Sequence, residues 1–157
     1  MIVTCLTDPR LDFIFHEQDV EPIDEQSWKE TAFVTPGENY VVTSILFSID
    51  RIYFSVLGNL FPSIPATFDS KHFQVIINQL SEHHFMGETN TYEGKSPFIT
   101  HAYFAANDIY NELVDEPFSS DVWKLQMQKD REIYDYYQIR FPELLQPFEK
   151  RYSRASK

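Results

Sequence analysis

Five histidines and a single cysteine are the residues best suited to catalysis or metal binding, and their spacing argues against both. His16, His72, His83, His84 and His101 are scattered, and only His83 and His84 adjoin. Neighbouring side chains on a helix diverge by about 100°, so that pair does not converge on one ion. Glu82 beside His83 lacks the Glu-x-x-His spacing used by di-iron bundles. His84 follows Leu80 by four positions and reads as a satisfied histidine near an element's end. Cys5 lies in the apolar run Ile2 to Leu6, where a small buried hydrophobe is the expected role rather than a nucleophile. The chain has no nucleophile elbow, kinase signature or zincin motif, and four glycines leave little material for a phosphate-cradling loop. The sequence thus implies no catalytic residue, no metal site and no cofactor.

One further set could do chemistry of recognition. Tyr134, Tyr136, Tyr137 and Phe141 lie beside Arg131 and Arg140, and stacked bases require aromatic faces next to cations. Asp130, Glu132 and Asp135 cancel those arginines, so one packed helix face and one salt-laced face explain the same residues. Tyr136 and Tyr110 remain as candidates for a protein interface, where tyrosine supplies contact area at little entropic cost.

Charge carries more information. The chain of 157 residues has a formal net charge of −11, from 24 acidic and 13 basic residues. Met1 to Asp50 holds ten acidic and two basic residues, a net of −8, which leaves −3 for the rest. Such a field repels phosphate backbones and anionic lipids, which disfavours nucleic acid and membrane surfaces and favours a basic protein partner. Asp19, Glu21, Asp24, Glu25 and Glu30 are the candidate partner-binding acids. An acidic surface also serves plain solubility, which is the competing account of each residue taken alone. A lone cysteine suits a reducing compartment, and no apolar run approaches the length of a membrane span, so the expected location is the cytoplasm.

The elements that must position these residues read mainly as helices. At 43 % hydrophobic and 16 % aromatic, the composition supports one folded domain over residues 1–157. Thr35-Pro36-Gly37-Glu38 has the form of a capping box with proline at the first helical position. Val41, Val42, Ile45, Leu46, Ile49, Ile52, Tyr53, Val56 and Leu57 continue it at helical spacing, and Gly58-Asn59 reads as its stop. The competing reading is a β-hairpin around Asp50-Arg51, since the run is rich in β-branched residues. Asp69 caps a second predicted helix towards Phe85, with Phe73, Ile76, Ile77 and Leu80 on one face and Gly87 ending it. Ser96-Pro97 opens a third through Leu113. Ser120 or Asp121 opens a fourth that runs to Phe141 and stops at Pro142, and Glu143 to Gln146 forms a short fifth. Ile2 to Leu6 and Leu11 to Phe15 could pair as a hairpin. The expected fold is therefore mainly α: an antiparallel bundle of about four to five helices over 35–149, an acidic irregular or hairpin segment over 1–34, and a frayed basic tail over 150–157. The alternative is an α+β fold with the hairpin around Asp50.

The function that fits charge without catalytic chemistry is a non-enzymatic protein-binding protein: an inhibitor or immunity-type neutraliser of a basic toxin, nuclease or effector. A helical-bundle ligand carrier or enzyme, with His101, Tyr103 and Asn107 supplying polar groups to an aromatic-lined pocket, is the second reading. A structural subunit of an assembly is the third.

Overall fold

The computed structural model describes residues 1–9, 33–59, 66–82, 84–91, 94–101 and 120–152. Among them are seven strands and two helices, so the expected helical bundle is replaced by an antiparallel sheet with one long helix packed against it. The strands are β1 (Ile2–Cys5), β2 (Asn39–Phe47), β3 (Ile52–Val56), β4 (Ala66–Asp69), β5 (Phe73–Ile77), β6 (His84–Thr91) and β7 (Gly94–His101). The helices are α1 (Ser120–Arg140) and α2 (Phe148–Arg151).

β1 lies between β2 and β5, with Ile2 opposite Val41 on one side and Ile77 on the other. Its side chains are buried on both faces: Met1, Val3 and Cys5 enter one layer with Tyr40, Val42, Phe54, Val56 and Phe73, while Ile2 enters a second with Val41 and Leu57. A nearly continuous apolar run, interrupted here only by Thr4, is what a strand covered on both faces requires.

Two β-bulges account for the helix-like spacing of the sequence. In β2 the register against β3 slips between Val42 and Ser44, leaving Thr43 as the extra residue, and its hydroxyl donates to the Ser55 carbonyl at 3.2 Å. An extra residue reverses the alternation. Tyr40 and Val42 before the slip, and Ile45 and Phe47 after it, therefore all serve the same layer. In β5 the register against β1 slips at Ile76, so Ile76 and Ile77 both join the second layer while Phe73 stays in the first.

The capping signals are read differently by the chain. Thr35-Pro36-Gly37-Glu38 is a β-turn in which Glu38 N–H donates to the Thr35 carbonyl at 3.1 Å and Gly37 has φ +87°. Proline second and a left-handed glycine third are the requirements of a type II turn. The turn at the far end of β2 spans Ser48 to Arg51 with Ile49 and Asp50 at its tip, within one residue of where the competing strand reading put it, and Ser48 N–H donates to the Arg51 carbonyl at 2.8 Å. Asp69 does cap, accepting from Lys71 N–H at 2.9 Å, but it caps only the 3-10 turn Ser70–His72 before β5 begins. Ser96 and Pro97 lie inside β7 rather than at a helix start. The β2 partners of β7 end at Phe98, so Pro97 lies beyond the β2 ladder and pairs with Glu88 of β6. Gly87 stands in β6 opposite Phe98, whose ring occupies the space a Cβ would need.

The fourth predicted helix is present as α1 and ends at Arg140, ahead of Pro142. Ile133, Tyr134 and Tyr137 face the sheet and close the second layer with Leu145 and Tyr152. The fifth helix expected over Glu143 to Gln146 is instead a turn, and α2 follows Pro147. Residues 11–15 and 102–113, to which a hairpin strand and most of the third helix were assigned, lie outside the described residues.

Candidate functional site

Among the described residues, a dense polar cluster joins the turn before β2, the end of β3 and α2. Tyr40 projects from the start of β2, and its hydroxyl accepts the Thr35 N–H at 2.7 Å. The same hydroxyl lies 3.1 Å from Asn59 Oδ1 and 3.3 Å from Glu38 Oε2, to one of which it donates. Asn59 Nδ2 donates to the Thr35 hydroxyl at 2.9 Å. Arg151 enters from α2 with its side chain 11 % exposed, its guanidinium 4.6 Å from the centre of the Tyr40 ring, and Nη2 3.4 Å from Glu38 Oε2. Among the described residues its buried Nε has no hydrogen-bond partner. Tyr134 and Tyr152 complete the surround, donating to the carbonyls of Gln146 (2.7 Å) and Leu57 (3.3 Å).

The electrostatics suit a clamp better than a catalyst. Burial opposes the Arg151 charge, but the phenol oxygens of Tyr152, Tyr134 and Tyr40 and the Glu38 carboxylate outweigh it, so its pKa is raised. Burial pushes the Tyr40 phenol up to about 12 and drives Tyr134 and Tyr152 upward too. Phenols held protonated cannot act as bases near neutrality. Their hydroxyls and the cation instead tie the C-terminal helix to the sheet.

Other reactive groups are similarly committed. Cys5 is buried, its thiol contacts the Thr7 carbonyl at 3.3 Å, and burial, assisted by Asp8, pushes its pKa up to about 11. A thiol so raised is not a nucleophile at neutral pH. His72 is buried with Nδ1 2.8 Å from the Thr7 hydroxyl. His84 Nδ1 accepts the Ser81 N–H at 3.1 Å and lies 2.9 Å from the Ser81 hydroxyl. Among the described residues no three His, Cys, Asp or Glu side chains group as metal ligands, and no helix is long and apolar enough to cross a membrane.

The buried thiol and phenols give a defined alkaline response. A group whose folded pKa is raised contributes stability that is fully present below its unfolded pKa and is lost as pH rises towards the folded value. Cys5, Tyr40, Tyr134, Tyr137 and Tyr152 are all shifted upward, so their contribution should hold to about pH 9 and then decline. Denaturant midpoints measured across that range test this, with phenolate absorbance from the four tyrosines appearing together with unfolding. Full ionisation of all tyrosines in a still-folded protein would contradict it.

Of the residues singled out from sequence, Asp19, Glu21, Asp24, Glu25 and Glu30, together with Tyr103, Asn107 and Tyr110, lie outside the described residues. Tyr136 is half-buried on α1, with the Arg140 guanidinium 3.6 Å from its ring centre and the Tyr137 ring edge-on at 5.0 Å. His101 ends β7 opposite His84 in the strand register. Sequence reasoning passed over Tyr40, read Asn59 only as part of a helix stop and placed Arg151 in a basic tail. The alternation around Tyr40 and the Pro147 preceding Phe148 are the local signals that bear on them. Compared with known proteins, the chain matches no family model, no curated protein and no solved structure.

Proposed function

We propose that the chain acts by binding a basic protein, as an inhibitor or immunity-type neutraliser of a toxin, nuclease or effector. The observation that carries this reading is the net −8 concentrated in Met1 to Asp50 within a chain of −11. A one-signed field of that kind accelerates encounter with a cationic surface and competes for the groove in which that surface would hold nucleic acid. The inert settings of Cys5, Tyr40 and Tyr152 support a binding role over a catalytic one.

The test begins with affinity capture from the native cell at low and high salt, followed by association kinetics with the captured partner. Reversing Asp24 and Glu25 to lysine is expected to slow association roughly tenfold at low salt and to flatten its salt dependence, with little change in dissociation. Unchanged association kinetics, or a small molecule co-purifying in place of any protein, would defeat the proposal.

A further inference from the structure

The geometry points to β6 as the edge on which a partner adds a strand, an inference that rests on the protein-binding reading above. Strand register places Phe68, Phe54, Ile45, Ile99 and Met86 side by side across β4, β3, β2, β7 and β6. Phe54 and Ile45 are buried in the middle of this row, and Phe68 and Ile99 pack against the same core. The row then ends abruptly: Met86 is 73 % exposed. One more strand beside β6 would set a side chain against Met86 and continue the row.

The backbone of β6 is suited to that addition. It runs eight residues in uninterrupted register with β7, its one partner among the described strands. Edge strands are ordinarily blunted by charged side chains, lysine above all, by proline, bulges or shortness, or by a covering helix or loop. His84–Thr91 contains no proline, lysine or arginine, its pairing with β7 shows no slip, and its length exceeds that of β4 or β5. An edge left in this form is the template used for recognition by strand addition.

Charge selects the occupant. A second copy of the chain would bring another −11 to the same edge, whereas a basic segment is attracted by it. Exposed Glu88, two residues from Met86 on the same face, places one of the chain's carboxylates on this strand. The partner strand is therefore extended, alternating and basic, with an apolar residue beside Met86.

The experiment uses the intact chain and a labelled nine-residue peptide alternating valine and lysine. Its counterparts are the same peptide N-methylated along its central residues and a valine–serine version. The valine–lysine peptide is expected to bind, with affinity falling about tenfold or more on N-methylation, because several inter-strand hydrogen bonds are lost. Met86→Ser should weaken it by a factor of about five, the loss expected from one partly exposed apolar contact. No binding overturns the inference. Equal binding of the N-methylated peptide also overturns it, yet leaves the acidic-surface reading standing. Equal binding of the valine–serine peptide overturns the basic character of the partner. Concentration-dependent self-association that Met86→Ser abolishes overturns it in favour of a second copy. Conversely, strand-dependent binding that the Asp24 and Glu25 reversals leave unchanged in rate supports the edge while removing the steering role of the N-terminal acids.

Discussion

Tyr137→Ala is expected to cost about 3–5 kcal/mol of folding stability, a drop of roughly 10 °C in the midpoint of thermal unfolding for a chain of this size. Tyr137 is completely buried at the centre of the layer between α1 and the sheet, in company with Ile2, Val41, Leu57 and Tyr134. Its truncation removes a whole ring from a close-packed interior that relaxes only in part. It also removes the donor that meets the Gln79 carbonyl at 3.0 Å, beyond the end of β5. Tyr137→Phe separates the two effects, since it keeps the ring and loses only the hydrogen bond, at about 1 kcal/mol. Ile139, on the same helix but 73 % exposed, is the control; its replacement by alanine should change stability by less than about 0.5 kcal/mol. Denaturant midpoints of the three variants decide the matter. Equal effects at 137 and 139 would mean that α1 does not dock on the sheet through this face.

Among Gly37, Gly58 and Gly87, Gly58→Ala is expected to be the most damaging substitution. A Cβ at this buried position would lie 2.4 Å from the Phe33 carbonyl oxygen, which is backbone and cannot swing aside. That same oxygen accepts the Asn59 N–H at 2.7 Å, and Asn59 in turn bonds Thr35 and Tyr40. Making room for one methyl group therefore opens the polar cluster that holds α2 in place. The combined overpacking and lost hydrogen bonds amount to about 3 kcal/mol or more. Gly37→Ala is the useful comparison. It has a strained φ of +87° but nothing within 4 Å of the added Cβ, so about 1–2 kcal/mol is expected from backbone conformation alone. At Gly87 the clash is with the tip of the Phe98 ring, a side chain able to rotate. Thermal unfolding of the three alanine variants should rank position 58 well below the others, and a milder effect at 58 than at 37 would falsify the close approach of Phe33.

The legibility of this chain divides along the same line as its interactions. α1 could be read from Ser120 to its stop before Pro142 because its signals are local: a capping residue, apolar positions three and four apart, and a proline that ends the run. The first two predicted helices, both replaced by strands, share one cause. Val41, Val42, Ile45 and Leu46 match a helical stripe because Thr43 is a bulge, and Phe73, Ile76, Ile77 and Leu80 do so because Ile76 is another. A bulge shifts strand alternation by one, and two half-strands out of phase mimic a period near four. Pro36-Gly37 was equally ambiguous, since a proline after threonine suits a helix start and a proline before glycine suits a type II turn. The candidate site was less visible still, because Tyr40, Asn59 and Arg151 are far apart in the chain and meet through the packing of α2.

By itself the amino-acid sequence determined the quantities that do not depend on position in space. These are the charge of −11 and its concentration before Asp50, the lack of a second cysteine for Cys5, and the local starts and stops of α1. Tertiary structure alone decided which apolar runs became strands. Ile2 becomes a strand residue because Val41 and Ile77 stand on either side of it, and no window of sequence contains all three. It likewise decided that Arg151 is buried and Met86 is not, because burial is a property of neighbours brought together by pairing and packing across the whole chain.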